Sequence, residues 1–528
     1  MRLRQDEKSR MHRRVSALSR REVLPRQVRE KAERLPMKEL RRKVLLPVFQ
    51  LSELTTEDDP RALRRDIKQG KRHPPFTYHY RIVEDDQTGH RFSYNLFPMV
   101  LDRNGKPWAL ATLYLLAQLE VETSPRMTKH HNRADDLGSY KEWLDTHADP
   151  DRLMFYFPKI TLRRPTYRYR GHLEKLIRAG ELAPTLAKRR MGAVVAFYRW
   201  LIKNNYFQPE YPAWEEKQYY FAFKTEKGFS TSKSVEGNDL SIRVPKSEDP
   251  FDGTIQDGEK LRPLTGREQN WVLEATWAKG NAECYLIQLF MLATGARIQT
   301  VCTLPARHFT QSNPRFSKAI TGDGEVFKVN AGPGTGIDTK DDKNGVLQIP
   351  RPVYDLLRNY SFSKRASVRK ARFVVKHGES VDPYLFITQQ GNPYYISKAE
   401  ALQFKPALKI RHVKMGQTVR QFIKEHVLSY IRSRYDKDFY YRPHDLRASF
   451  GMNMNELLMK SVQKKQISLG RARSILKELL WHESFSTTDL YLNYPGQMHA
   501  VYAAVNGYGE QVQKWIEQAM NIQAVCDE

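Results

Sequence analysis

The sequence predicts a multidomain, mainly α protein, in which a helical domain is followed by a mixed α/β domain with a small antiparallel sheet. Three observations predict it. Apolar residues recur at helical spacing in KPWALATLYLLAQLEVE (106–122), TLAKRRMGAVVAFYRWLIKNN (185–205) and ECYLIQLFMLATGARIQTVCTL (283–304). β-Branched flanks surround turn residues in VFKVNAGPGTGIDTKDDKNGVLQIP (326–350), with Asn344-Gly345 the strongest hairpin signal. Residues 224–260 are poor in core formers and rich in Gly, Ser, Lys and acids, which marks a connection between two cores.

Taken in order, residues 1–95 form a basic N-terminal arm or extension. Its first 45 residues are dense in arginine, and two states are open for them: a helix on a polyanion or a solvated disordered arm. Residues 76–97 alternate aromatic and polar side chains around Asp86-Gln87-Thr88-Gly89 and read as a hairpin. The helical domain spans 96–215. Its last helix carries Ala, Val, Phe, Trp and Leu on one side and Lys188, Arg189 and Arg190 on the other, so its back suits a core and its flank suits phosphate. A linker covers 216–260. The α/β domain, 261–510, opens with Thr265 capping a helix and Glu268 three positions on. Residues 511–528 form a C-terminal helix or tail, whose amphipathic stretch packs either on its own domain or on a neighbouring subunit.

The formal net charge of +27 and the 87 Lys and Arg among 528 residues point to a polyanionic partner, nucleic acid before acidic membrane. The three cysteines, Cys284, Cys302 and Cys526, have neither metal spacing nor the density of a disulfide framework. With no apolar stretch of membrane-spanning length and no signal-peptide core, the expected compartment is the cytoplasm, nucleoid-associated if the polyanionic partner is DNA. No metal site and no cofactor site is expected. Gly332, Gly334 and Gly336 lack the Gly-Lys-Ser/Thr that would close a phosphate-binding loop.

The residues that carry chemistry lie in the second domain. Pro443-His444-Asp445-Leu446-Arg447 opens a helix, and its i, i+3 spacing turns His444 and Arg447 to one side. His482 is followed nine positions later by Tyr491, with Ser486, Thr487 and Thr488 as caps for the intervening helix start. Thr294-Gly295 breaks an apolar helix so that Arg297 emerges at the start of the next one. Two arginines can neutralise both non-bridging oxygens of a phosphodiester, because each guanidinium is permanently charged and presents a planar fork of donors. A tyrosine hydroxyl can attack phosphorus and hold it covalently. Tyr494 is a nearby competitor for that role.

This set, in this order, resembles the tyrosine recombinase (phage integrase) family. The helix at 185–205 resembles the close of that family's helical, SAM-like core-binding domain, and Leu264-Thr265 with Glu268 resembles the opening of its catalytic domain. Leu385-Phe386 with Gly391 and Pro393 resembles a further family phrase. Two positions depart from the pattern. Thr300 stands where the family has an acid three places after the first arginine, and Trp481 stands in place of the glycine before His482. The stretch 404–438 looks like an insertion.

The resemblance implies catalytic roles for Arg297, Lys340, His444, Arg447, His482 and Tyr491. Tyr491 attacks the scissile phosphate and leaves a 3′-phosphotyrosyl bond, with Arg297 and Arg447 on the developing charge. His444 accepts the phenolic proton, a hairpin lysine protonates the departing 5′ oxygen, and His482 hydrogen-bonds the phosphate. Lys340 is preferred for the lysine, with Lys343 the alternative. Neither metal nor ATP is needed. The implied function is a site-specific DNA recombinase or integrase serving a mobile element. The implied partners are double-stranded DNA, a homo-tetramer on two DNA sites, and an accessory recombinase or host DNA-bending protein, with no membrane. Two other readings are open: a catalytically silent DNA-binding accessory protein, and a type IB topoisomerase-like relaxing enzyme.

Overall fold

The computed structural model describes residues 42–496 apart from 68–75, 85–91, 123–125, 225–229, 246–252, 320–323, 379–380, 407 and 410–411, together with positions 498 and 513. Residues 1–41 of the expected basic arm, and all of the expected tail but position 513, lie outside the described residues. The chain forms two compact units. The first takes residues up to 248 with 402–413, and the second takes 249–401 and the residues from 414 on.

In the first unit, β1 (Lys43–Gln50) and β2 (Ser52–Thr55) are followed by β3 (Leu63–Ile67), β4 (Phe76–Ile82) and β5 (Ser93–Val100). The hairpin expected across residues 76–97 is not formed by these strands. β4 pairs with β2 and β3, whereas β5 pairs with β1. Leu51 stands between them, its amide donating to Phe92 and its carbonyl accepting from Val83. Alternation marks both strands, but β4 is flanked by β2 and β3 while β5 takes β1, and the turn residues between β4 and β5 carry no information about those partners.

Five helices follow: α1 (Ala109–Glu120), α2 (Met127–Leu144), α3 (Pro150–Phe155), α4 (Pro165–Arg178) and α5 (Pro184–Lys203). Their apolar faces enclose a core that includes Phe97, Trp108, Leu115, Tyr140 and Phe197. Tyr140 and Tyr198 share a 2.6 Å hydrogen bond there, and Tyr198 also donates to the Met154 carbonyl at 2.8 Å, so both buried hydroxyls are satisfied. On the flank of α5, Arg189 forms a two-pronged pair with buried Asp136 (3.0 Å for each prong), while Lys188 is exposed. The stretch read as a linker from its composition carries an antiparallel ladder, β6 (Glu216–Lys224) with β7 (Ser230–Asn238).

The second unit is mixed α/β, with one small antiparallel three-stranded sheet, as predicted. It begins with a minimal hairpin, β8 (Ile255–Gln256) and β9 (Lys260–Leu261), then α6 (Gly266–Ala278), α7 (Ala282–Thr294) and α8 (Ile298–Cys302). Thr265 and Glu268 close a reciprocal capping box at the start of α6. The sheet has the order β10 (Phe316–Lys318), β11 (Glu325–Ala331), β12 (Gly345–Pro350). The ladder ends at Ala331 and Gly345, so Asn344-Gly345 opens β12 instead of forming a tight turn. Lys340 consequently sits in a short 3₁₀ turn (Lys340–Asp342) within the connection, not at the end of β11.

Helices α9 (Arg351–Phe362), α10 (Lys364–His377), α11 (Lys398–Leu402), α12 (417–434, with a π turn at Ile423–Val427), α13 (Asp445–Gln463), α14 (Leu469–Leu480) and α15 (485–496) complete the unit. Glu283 on α7 is fully buried and is held by Arg365 (2.7 Å at both prongs) and Tyr360 (2.9 Å), which fixes α7 against α9 and α10. Among the described residues, no helix is long and apolar enough to cross a membrane.

Candidate active site

The site is built where four helix ends and one hairpin meet. Gly295 ends α7 in the left-handed region (φ 67°), and the chain turns within two residues to place Arg297 ahead of α8. His444 and Arg447 lie at the start of α13, one turn apart. Trp481 ends α14 and His482 follows it. Tyr491 lies in α15, which starts at 485 with Ser484 Oγ accepting the Ser486 amide. Thr487 and Thr488 therefore fall inside the first turn and are not its caps, which leaves the Thr488 hydroxyl available for His482.

These residues converge on one carboxylate that sequence reasoning missed. Asp257, at the tip of the β8–β9 hairpin, is 5 % exposed. Its Oδ2 accepts from Arg447 Nε (2.9 Å), Tyr491 OH (3.2 Å) and His482 Nε2 (3.3 Å), and its Oδ1 accepts from Arg297 Nη2 (3.4 Å). The next two residues of the tip reach the remaining pair. Glu259 Oε1 lies 2.8 Å from His444 Nδ1. Gly258 (φ 74°) faces Lys340, and a methyl group at that glycine would fall 2.5 Å from Lys340 Nζ. All six predicted site residues thus border Asp257-Gly258-Glu259. Lys343 does not, since its ammonium pairs with Glu483 at 2.8 Å. Tyr494 does not either, since its hydroxyl donates to the Gly253 carbonyl.

Arg447 is almost completely buried, and its other two prongs donate to the Gly295 carbonyl (2.8 Å) and the Leu480 carbonyl. Its side chain is therefore fixed by the backbone and not by a surface contact. Asp445, on the same helix turn, accepts the Arg262 amide (3.0 Å) and the Arg442 amide (2.7 Å), and Ser449 Oγ accepts the Leu264 amide (2.8 Å). Those bonds tie the segment after the hairpin to α13. His482 Nδ1 lies 3.0 Å from the Thr488 hydroxyl. With Asp257 on Nε2, the partners assign the tautomer: Nε2 carries the proton and Nδ1 accepts from Thr488.

The electrostatics follow from burial in a cluster of charges. Burial alone would raise the Asp257 carboxyl, but the His482 hydrogen bond and the charges of Arg447 and Arg297 outweigh it and hold the group far below the usual range. Burial, followed by the Asp257 charge, pushes the Tyr491 phenol well above its ordinary value. Burial and the neighbouring Arg447 charge bring Arg297 down to about 10. Burial also lowers His444 and His482, despite their acidic partners, so both imidazoles are neutral at neutral pH. Within the site, two buried nitrogens have no hydrogen-bond partner among the described residues: Arg297 Nε and His444 Nε2.

The departures at Thr300 and Trp481 now have a physical description. Thr300 is buried in α8, and the acidic contact of Arg297 comes instead from Asp257. Trp481 adopts the left-handed conformation (φ 51°) that a glycine would take without strain, and its indole lies flat on the Gly345 backbone at the start of β12. A side chain at Gly345 would collide with the ring, the nearest indole atom lying 2.4 Å from an added methyl. The tryptophan thus leaves His482 in contact with the cluster and packs its segment against the connection that carries Lys340. A signal for Asp257 was present in the sequence: Ile255-Gln256-Asp257-Gly258-Glu259-Lys260-Leu261 has Asp-Gly between apolar residues, a hairpin pattern obscured by the polar composition around it. Among the described residues, no group of three or more His, Cys, Asp or Glu is arranged to hold a metal ion.

No family model matches the chain and no curated protein matches it. Several solved structures are similar. A lambda integrase (75–356) dimer bound to a COC′ core site has 13% identity and a TM-score of 0.36, over 73% of this chain and 95% of that one. The Tn1549 transposon integrase (82–397) in complex with circular intermediate DNA has 13% identity and a TM-score of 0.35, over 73% and 94%. A lambda integrase tetramer bound to a Holliday junction has 14% identity and a TM-score of 0.31, over 75% and 92%. Likeness at this level assigns no family.

Proposed function

We propose that the chain is a tyrosine recombinase that cuts and rejoins double-stranded DNA through a 3′-phosphotyrosyl intermediate. One observation carries the reading: two arginines, a histidine and a tyrosine hydroxyl donate to a single anionic group, with a lysine and a second histidine at its edge. Few reactions other than phosphoryl transfer to a tyrosine use that set together.

With a phosphodiester between Arg297 and Arg447, the Tyr491 oxygen attacks phosphorus and the bond from phosphorus to the 5′ oxygen breaks. Both guanidiniums hold the non-bridging oxygens as charge gathers on them. His444 Nε2 takes the phenolic proton. Its neutral state is favoured by burial, and the Glu259 contact on Nδ1 leaves Nε2 as the basic nitrogen. Lys340 gives a proton to the departing 5′ oxygen, and His482 donates to the phosphate through Nε2. The covalent link keeps the energy of the broken bond, so a 5′ hydroxyl from the same or another duplex can reverse the attack. Exchange between duplexes requires four active sites, hence a homo-tetramer on two DNA sites, and we assign the activity to a mobile element.

The engagement of both arginines by Asp257 favours a second reading, a DNA-binding protein with a silent site. One experiment separates the two. DNA substrates with a nick beside the cleavage point, drawn from sequence flanking the gene, are incubated with wild type and Tyr491→Phe and run on denaturing gels. A protein–DNA adduct that disappears in the variant is expected. Tight DNA binding with no adduct would establish the silent reading.

A further inference from the structure

Resting on the reading of this site as a phosphodiester site, we infer that Asp257 is an internal substitute for the scissile phosphate, so the hairpin tip must withdraw before DNA can be cut. The carboxylate matches a phosphodiester in the features the site selects: one negative charge shared over two oxygens, each facing a guanidinium. Arg297 takes one oxygen, and Arg447, His482 and Tyr491 take the other. A phosphate cannot join it, because Asp257 is buried among the donors a phosphate needs and carries the same charge.

The alternative, that Asp257 serves the reaction from this position, fails on chemistry. A carboxylate so strongly stabilised is too weak a base to take a phenolic proton. Its charge also raises the Tyr491 phenol, the reverse of what activates a nucleophile. An unmatched donor points the same way. Arg297 Nε is buried without a partner, and the carboxylate oxygens are already engaged by the other donors, whereas a phosphodiester brings four oxygens.

The hairpin is built so that only its tip can move. Ile255 and Leu261 are buried in the core that contains Tyr491 and Leu480, and the segment beyond is tied to Asp445. Between these anchors lies Asp257-Gly258-Glu259, with Gly258 at φ 74° against Lys340. A rotation of the Asp257 side chain with a change at the Gly258 turn would free Arg447 Nε, Arg297 and His482 Nε2, and leave the base of the hairpin in place.

The test measures binding of inorganic phosphate to the full chain by calorimetry. Asp257→Asn keeps the size of the side chain and removes the charge. If the closed tip is favoured by about 10 to 1, removing it tightens phosphate binding about tenfold, and adding Arg297→Ala cancels the gain. Gly258→Ala is a second variant that keeps Asp257 but crowds Lys340 and strains the closed turn, so it too is expected to tighten binding. Unchanged or weaker binding in either folded variant would overturn the inference and make Asp257 a group that positions the arginines. The adduct assay reads the catalytic proposal separately. Tighter phosphate binding without any adduct would sink that proposal alone, and adducts without tighter binding would sink this one alone.

Discussion

Gly451→Ala tests whether Tyr491 reacts from where it lies. Gly451 is on α13, and the Tyr491 ring rests on its backbone. An added methyl would stand 2.5 Å and 2.8 Å from two ring carbons and 3.2 Å from a Leu480 methyl. Carbon atoms pack at about 3.5–4 Å, so the ring must recede by roughly an ångström. Overpacking of this kind costs about 1–3 kcal/mol, and replacing a helical glycine with alanine returns about 1 kcal/mol. The net loss is on the order of 1 kcal/mol, a fall of a few degrees or less in the thermal midpoint. The effect on reaction is expected to be far larger. The hydroxyl sits 3.2 Å from Asp257, in the space assigned to the phosphate, and a 1 Å misplacement of a reacting group costs about a hundredfold in rate. Adduct formation on a nicked substrate, timed beside a thermal melt, separates the two. A variant that melts near wild type and forms adduct at the wild-type rate would refute the placement of Tyr491 as the nucleophile.

Other expectations follow from the same geometry. Thr488→Val removes the donor to His482 Nδ1 and leaves a buried nitrogen unpaired, which should lower stability by about 1–3 kcal/mol in chemical denaturation and slow adduct formation. Lys340→Ala should slow cleavage of ordinary DNA but not of DNA with a sulfur in place of the departing 5′ oxygen, since a thiolate leaves without a proton. Lys343→Ala should slow neither, and the reverse pattern in rate measurements would exchange the two lysines. For pH, burial lowers His130, His131, His308, His444 and His482 below their ordinary value. The unfolded chain then binds more protons than the folded one, so stability is fully present above about pH 6.5 and is lost as pH falls to and through the lowered folded values. Melting temperatures recorded from pH 7.5 to 5 should fall steadily, and a flat profile would contradict the burial of these imidazoles.

The sequence made the local parts of the site legible and left the assembly hidden. His444 with Arg447, and His482 with Tyr491, sit within single turns or adjacent helices, where spacing alone dictates which side chains share a face. Arg297 was marked by the glycine that ends α7. Asp257 stands 190 positions before Arg447 in the chain, and nothing in its own neighbourhood states that four distant donors will surround it. The first unit gives the same lesson. Strands β4 and β5 are recognisable from alternation, but they do not pair with each other: β4 lies between β2 and β3, and β5 pairs with β1. In the lysine loop, Asn344-Gly345 is a strong turn signal that here begins a strand against the Trp481 indole, because the ladder closes at Ala331 and Gly345.

Arg447 has a consequence that reaches past its own charge. The carbonyls it grips belong to Gly295 and Leu480, each two residues ahead of another member of the site, Arg297 and His482. Both carbonyls lie at helix C-termini, where the backbone is partly negative and a guanidinium is welcome. The side chain therefore acts as a keystone that sets the spacing of two loop entrances. Removing it would let Arg297 and His482 lose register together. Its deletion and those of Arg297 and His482 should then be strongly non-additive, so that in double-mutant cycles a second loss adds little to the first.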